Sequence, residues 1–181
     1  MTVRIREATA DDAPAISAIR VTTWRAAYAG LIPQRALDRL DVHRDADHRR
    51  RRWDAAHADP HHVDLLAFVG DEPVGWAAVG TSLDGDGDGD GDGDGEVYAL
   101  YVLPEHWDAG VGHALLSRAE QALRDGGFAR GRLWVLAGND RAASFYERHG
   151  WSEDGARKLE DILVGSPDAQ TLDERRRVKT L

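Results

Sequence analysis

Residues 100–116 read Leu-Tyr-Val-Leu-Pro-Glu-His-Trp-Asp-Ala-Gly-Val-Gly-His-Ala-Leu-Leu. A short apolar run passes through Pro104 into Gly110 and Gly112, and an apolar-periodic stretch follows. That order predicts a strand, a tight turn and a helix. Glycine lacks a Cβ, so the backbone at Gly110 and Gly112 can turn sharply and come close to a ligand. The first turn of the following helix aims unpaired N–H groups at the same place, with the positive end of its dipole behind them. A phosphate or pyrophosphate fits such a cradle, with Gly110, Val111, Gly112, His113 and Ala114 around it.

Outward from this segment, Val3 to Ala8 alternates apolar and charged residues as a half-buried strand does. Thr9 and Asp12 stand at capping-box spacing before Pro14, which predicts a helix that Gly30 ends. The charged stretch between Pro33 and Pro60 holds one or two short helices. Val63–Val69 and Val74–Val79 flank Gly70-Asp71-Glu72-Pro73 and predict an antiparallel hairpin. Glu96 to Leu103 is a strand, Val111 to Arg124 a helix closed by Gly126-Gly127, and Arg132 to Leu136 a strand. Asn139 or Asp140 caps a helix that Gly150 terminates. Ile162–Val164 and Thr171–Leu181 are weaker strand candidates. The element order predicts an α/β chain with a mixed sheet, and 181 residues suit one domain over 1–181.

Composition removes several classes of function. The chain has no cysteine, which excludes disulfides, thiolate metal sites and a thiol nucleophile. Its start, Met-Thr-Val-Arg-Ile-Arg-Glu, is charged where a signal peptide is apolar, and it has no run of 18 apolar residues. A cytoplasmic protein without a membrane partner is expected. Six of the nine excess negative charges fall in the Asp-Gly repeat 84–95, so the remainder is nearly balanced and offers nucleic acid no basic stripe. The run Arg49 to Arg52 reads as a solvated helix face. The repeat itself fails as an EF-hand, because its aspartates all have even numbers and no frame puts an acid at position 12. It is expected to be an acidic, disordered loop. His57, His61 and His62 approach metal-like spacing, but Pro60 breaks a shared helix and no acid pattern completes a zinc site, so no metal is expected.

Two nucleotide motifs can be set aside for the cradle. A Walker loop needs Gly-Lys-Ser/Thr where Gly112-His113-Ala114 stands, and a dinucleotide fingerprint wants a small residue at Leu115. A second block lies downstream: Asn139-x-x-Ala142-x-x-Phe145-Tyr146-Glu147-x-x-Gly150-Trp151. Together with Val102-x-Pro104, Gly110-x-Gly112 and Leu115-Leu116, it resembles the GNAT superfamily of N-acetyltransferases. Ile5-Arg6-x-Ala8-x-x-x-Asp12 and Trp24-Arg25-x-x-Tyr28-x-Gly30 extend the resemblance over nearly the whole chain.

The resemblance implies a mixed, mostly antiparallel central sheet with helices on both faces and acetyl-CoA as co-substrate. A primary amine on a small molecule or peptide would be the acceptor. It implies that Gly110 to Ala114 hold the pyrophosphate, that Tyr101 and Val102 pair with the pantetheine amides, and that Asn139 bonds the pantetheine arm. Tyr146 would be the acid for the departing thiolate, Glu96 the base acting through water, and Trp24 and Tyr28 substrate-side aromatics. Tyr98 and His106 are further candidates for polar contacts. Each has a structural reading beside the functional one: Tyr146, Trp24 and Tyr28 as core aromatics, Asn139 as a cap, Glu96 as a solvated residue. An amine of lysine type has a pKa of about 10.4 and needs a base, while a thiolate leaving group is helped by an acid. The loop departs from the family where Trp107, Asp108 and Ala109 replace Gln or Arg, Gly, and Lys or Arg. A carboxylate there repels a pyrophosphate, and the lost cation removes a bond worth roughly 1.5–3 kcal/mol. A non-catalytic acyl-CoA-binding sensor of the same fold therefore stands as the alternative, with a nucleotide-binding scaffold behind it. The terminal strands could pair across a homodimer.

Overall fold

A computed structural model describes residues 2–83, 93–162, 166–167 and 169–181. The described elements run β1 (Val3–Glu7), α1 (Ala13–Ala27), α2 (Gln34–Asp38), α3 (Val42–Ala56), β2 (Val63–Val69), β3 (Glu72–Thr81), β4 (Gly95–Val102), α4 (Val111–Asp125), β5 (Arg130–Leu136), α5 (Asp140–Arg148), β6 (Ser152–Ile162) and β7 (Gln170–Thr180). The strands form one sheet in the order β1-β2-β3-β4-β5-β7-β6. Every neighbouring pair is antiparallel except β4 and β5. Helices cover both faces, and no described helix is long and apolar enough to cross a membrane.

Each face is buried by a helix whose apolar residues recur at helical spacing. On one side α4 sets Val111, Leu115, Leu116, Ala119 and Leu123 against Leu65, Ala67, Ala77, Val79 and Val97. Full burial of each of these leucines contributes about 1.5–3 kcal/mol. On the other side Ile16 and Ile19 of α1, with Trp53 of α3, pack on Leu66, Phe68, Trp76 and Ala78. Before α1, the Asp12 carboxylate accepts from the Thr9 N–H (2.8 Å) and is gripped by both terminal nitrogens of Arg6 (2.7 and 2.8 Å). The expected capping box is there, but it closes a short 3-10 turn that runs straight into α1. Glu120, buried on α4, accepts from the Trp151 indole (2.9 Å) and pairs with Lys179 of β7 (2.7 Å), which ties the segment after α5 to α4.

Three expectations from the sequence change. The strand expected over Ile162–Val164 is the tail of a longer one, since β6 begins at Ser152; residues 163–165 lie outside the described residues. β6 is an edge strand exposed on both faces, so it has no apolar alternation to read, and ladder bonds and cross-strand pairs such as Arg157 with Asp173 (2.7 Å) hold it. Residues 84–92 of the acidic repeat lie outside the described residues, but its end belongs to the sheet. Gly95 pairs with Thr81 and Gly131, and Asp94 meets Arg130 (3.4 Å) and Arg132 (3.6 Å). Arg49 leaves the expected solvated face: its guanidinium lies over the Trp76 ring (4.4 Å) on the sheet, while Arg50, Arg51 and Arg52 stay exposed.

Candidate active site

β4 and β5 are paired over only two positions, Gly95 with Gly131 and Glu96 with Arg132. Beyond them the strands diverge, and the wedge between them opens a cleft of about 290 Å³. The ladder to β3 decides which main-chain groups face the wedge. Leu103 N–H donates to Val74 C=O (2.9 Å), so odd positions near the end of β4 bond to β3 while Leu100 and Val102 turn the other way. The expected pair of Tyr101 and Val102 is thereby split, for the main chain of Tyr101 is used by β3. The Val102 carbonyl also accepts from Thr23 Oγ1 (3.1 Å) and from the Trp107 indole (2.7 Å).

One wall of the cleft is the start of α4. Gly110 caps it at φ +85°, a left-handed conformation costly for any residue with a Cβ. Ala114 N–H donates back to Gly110 C=O (3.0 Å), so Val111, Gly112 and His113 supply the amides that lack an intrahelical acceptor. Gly112 lies against Phe145 of α5, where an added Cβ would come within 3.3 Å of the ring. His113 extends along the cleft, its Nδ1 2.9 Å from Nε2 of His149.

The Trp107-Asp108 departure has a structural answer. Asp108 takes φ +58°, a conformation that Asp tolerates better than most residues. Its exposed carboxylate pairs with Arg141 of α5 (2.8 Å), and the same guanidinium lies over the Trp107 ring (4.2 Å). The loop thus recruits from another element a cation that its own sequence lacks. Arg141 and Arg148 both line the cleft, and neither was expected as a site residue.

Asn139 caps α5, its Oδ1 accepting from Ala142 N–H (3.2 Å), and it also lines the cleft. About two turns on from Asn139, Tyr146 is buried in the core and also lines the cleft. Burial, with Tyr101 nearby, pushes the Tyr146 phenol well above the usual tyrosine range. It therefore keeps its proton at neutral pH.

The far side of the wedge is a second cavity of about 270 Å³, which shares Tyr28, Val97, Tyr98, Tyr101, Trp134 and Leu136 with the first. Trp24 of α1 and Tyr28, which caps that helix, meet edge to face at 5.0 Å and line it. Burial, then Tyr101, raises the Tyr28 phenol. Glu96 reaches the same cavity but is buried rather than solvated, its Oε2 accepting from Ser82 Oγ (2.9 Å) and Leu83 N–H (3.1 Å). Glu174 of β7 and Lys158 of β6 complete the charged lining. These two, like Trp134, come from stretches with no motif, and only sheet order brings them to Glu96. Tyr98 lines both cavities but spends its hydroxyl on Thr81 C=O, and His106 lies on the first. Away from the cleft, His57 and His62 converge on Asp64, an acid their spacing does not disclose; His61 turns instead to Phe128 (5.2 Å).

Known proteins share this architecture. The N-acetyltransferase YuaI of Bacillus subtilis, itself uncharacterized, is 28% identical over 177 residues, 94% of this chain and 96% of its own. The PaiA N-acetyltransferase of Thermoplasma acidophilum, solved in complex with coenzyme A, aligns at TM-score 0.71 with 18% identity over all of both chains. YncA of Salmonella typhimurium, solved with its cofactor acetyl-CoA, aligns at TM-score 0.71 with 22% identity over all of this chain and 95% of that one. Residues 24–151 match the acetyltransferase (GNAT) family, which spans both cleft walls from Trp24 to Trp151, and this chain belongs to that family.

Proposed function

We propose that this chain is a cytoplasmic N-acetyltransferase, one domain over 1–181, that moves the acetyl group of acetyl-CoA to a primary amine by direct attack. The observation that carries the proposal is the short β4–β5 pairing, which opens one continuous wedge between the α4 amides and a carboxylate-lined cavity. The amides of Val111, Gly112 and His113, with Arg141, take the pyrophosphate. The N–H of Val102, the main chain of Leu100 and the side chain of Asn139 meet the pantetheine arm. The thioester then lies at Tyr146. No metal takes part in the transfer.

The amine enters from the opposite side, between Trp24, Tyr28 and Trp134. Glu96 and Glu174 favour a cationic acceptor, and the aromatic faces add attraction for it. Glu96 accepts the amine's proton through water, and the nitrogen attacks the thioester carbon. As the tetrahedral intermediate collapses, the C–S bond breaks, the thiolate receives the Tyr146 proton, and the surplus proton on the former amine nitrogen passes through water to restore the phenol. The burial that raises the phenol also raises a thiolate generated beside it, so the proton transfer is not opposed by burial itself.

Incubation with acetyl-CoA and a panel of primary amines, read as free thiol release, tests the reading. Release that depends on one class of cationic amine is expected. The Asp108 carboxylate at the phosphate loop favours a second reading, an acyl-CoA sensor without turnover. Protection against heat by CoA, with no thiol release from any amine, would establish the sensor and sink the enzyme.

A further inference from the structure

Behind Tyr98, outside both cavities, three side chains from separate stretches meet. His57 closes α3, His62 lies in the connection to β2, and Asp64 is on β2 with its side chain only 3% exposed. Asp64 Oδ2 is 3.3 Å from His57 Nε2 and 3.0 Å from His62 Nε2, and the three atoms all lie within 4.8 Å of one another. Ligands about 2.0–2.1 Å from a tetrahedral ion stand roughly 3.3 Å apart, so the two spacings from Asp64 to the histidines match a coordination edge.

The outer contacts orient each group as a ligand. Asp64 Oδ1 accepts from the Trp76 indole (2.6 Å), which fixes the carboxylate and leaves Oδ2 toward the histidines. His57 Nδ1 is 2.9 Å from the carbonyl oxygen of Trp53. A carbonyl only accepts, so Nδ1 carries the proton and a neutral His57 has a bare lone pair on Nε2. That lone pair faces a carboxylate oxygen. With His57 neutral, nothing favourable joins these two acceptors unless a cation stands between them. The other histidine pair shows the contrast: His149 Nδ1 likewise bonds the Phe145 carbonyl (2.7 Å), but its Nε2 lone pair meets the ring nitrogen of His113, which can carry a proton. His62 can answer Asp64 with a proton on Nε2; His57 can do so only as an imidazolium.

We propose that His57, His62 and Asp64 bind a divalent transition-metal ion of the zinc type. Two imidazoles and one carboxylate are borderline donors suited to zinc rather than to calcium or magnesium, which want oxygen ligands. A histidine held by a carbonyl is the usual outer-shell arrangement at such ions. Of the charged groups nearby, Arg49 lies over Trp76, meets Asp45 (3.8 Å) and also feels the Asp64 charge, while Asp59 accepts from His61 N–H (2.9 Å) and Thr81 N–H (3.1 Å). The ion would clamp the end of α3 and the α3–β2 connection to the sheet. It would also set His62, stacked on Tyr98 at 5.5 Å, behind the acceptor cavity.

The test strips the full chain with a chelator and titrates zinc, counting bound metal by equilibrium dialysis and following the melting temperature. Cobalt(II) in place of zinc reports geometry through its visible absorption. One zinc per chain, a raised melting temperature and a tetrahedral cobalt spectrum are expected. His57→Gln and His62→Gln carry the test, since Asp64→Asn disturbs the buried Trp76 bond. With circular dichroism unchanged, each should weaken zinc by more than the roughly 10- to 100-fold typical of losing an outer-shell partner. A chain lacking residues 84–92 should bind as before. Failure to take up zinc, uptake indifferent to both histidine variants, or uptake lost with residues 84–92 would each overturn the proposal, whatever the acetyl-transfer assay shows.

Discussion

The two walls of the wedge are built in opposite ways. The wall at α4 and α5 comes from two contiguous blocks, Gly110 to Ala114 and Asn139 to Trp151. It offers mostly main-chain amides, a cap and one phenol. The wall beyond Tyr101 takes Trp24 from α1 and Tyr28 from its C-terminal cap, Glu96 from β4, Trp134 from β5, Lys158 from β6, and Leu172 and Glu174 from β7. A helix N-terminus and a neighbouring helix suffice to grip a phosphate-bearing cofactor, because the donors are backbone and their spacing is set by helix geometry. Recognition of one amine needs side chains of chosen shape and charge, and these are free to come from any strand that reaches the splay.

The largest effect should come from the first wall. Tyr146→Phe is expected to lower turnover by about 10²- to 10⁴-fold, the range of a lost general acid, with CoA affinity almost unchanged. Steady-state kinetics beside a CoA titration measures both, and undiminished turnover would return Tyr146 to the core. For the second wall, Glu96→Gln keeps an acceptor for Ser82 and Leu83 and should cost about 10²-fold in turnover, with the loss concentrated at neutral pH, where the amine is protonated. If raising the pH does not recover rate, Glu96 is not the base. These two variants sharpen the comparison, since one should act on the leaving group and the other on the nucleophile.

A smaller effect probes the junction of the loop with α5. Asp108→Gly relieves a left-handed non-glycine residue and frees Arg141, and is expected to tighten acetyl-CoA about 3- to 10-fold, equivalent to roughly 0.7–1.4 kcal/mol. Weaker binding by calorimetry would show instead that Asp108 holds Arg141 in place for the phosphates. The least effect on chemistry is expected outside both walls. Arg6 holds the Asp12 carboxyl at about 2, below its usual value. A depressed carboxyl contributes stability above its unfolded value near ~3.9, and that contribution is lost as pH falls from there toward 2. Asp12→Asn should therefore lower the melting temperature at neutral pH and flatten its fall between about pH 4 and 2, with turnover untouched. An equally steep fall in the variant would place the acid sensitivity elsewhere.

The strands and helices around the splay were legible because each carries one periodicity and one stop signal. Gly30, Gly110 and Gly150 mark helix ends by their left-handed backbone, and α4 shows its buried face in Val111, Leu115, Leu116, Ala119 and Leu123. β6 was not legible from its start, because an edge strand exposed on both sides has no face to encode. Arg141 shows the same limit at the site: nothing near position 141 says that it will stand over Trp107, 34 positions earlier in the sequence.

The sequence by itself determined the family, the glycine-paired turn into α4 and the helix that bears Tyr146, since all rest on residues close enough in the chain for spacing to fix geometry. Tertiary structure alone decided that β4 and β5 part after two pairs, that Glu96 is buried, that Arg141 answers Asp108, and that Asp64 meets His57 and His62. The β4–β5 splay, the burial of Glu96 and the Asp108–Arg141 pair depend on how sheet twist and helix packing bring distant segments together, and His57, His62 and Asp64, though close in sequence, meet only through the turn from α3 into β2, which no local period records.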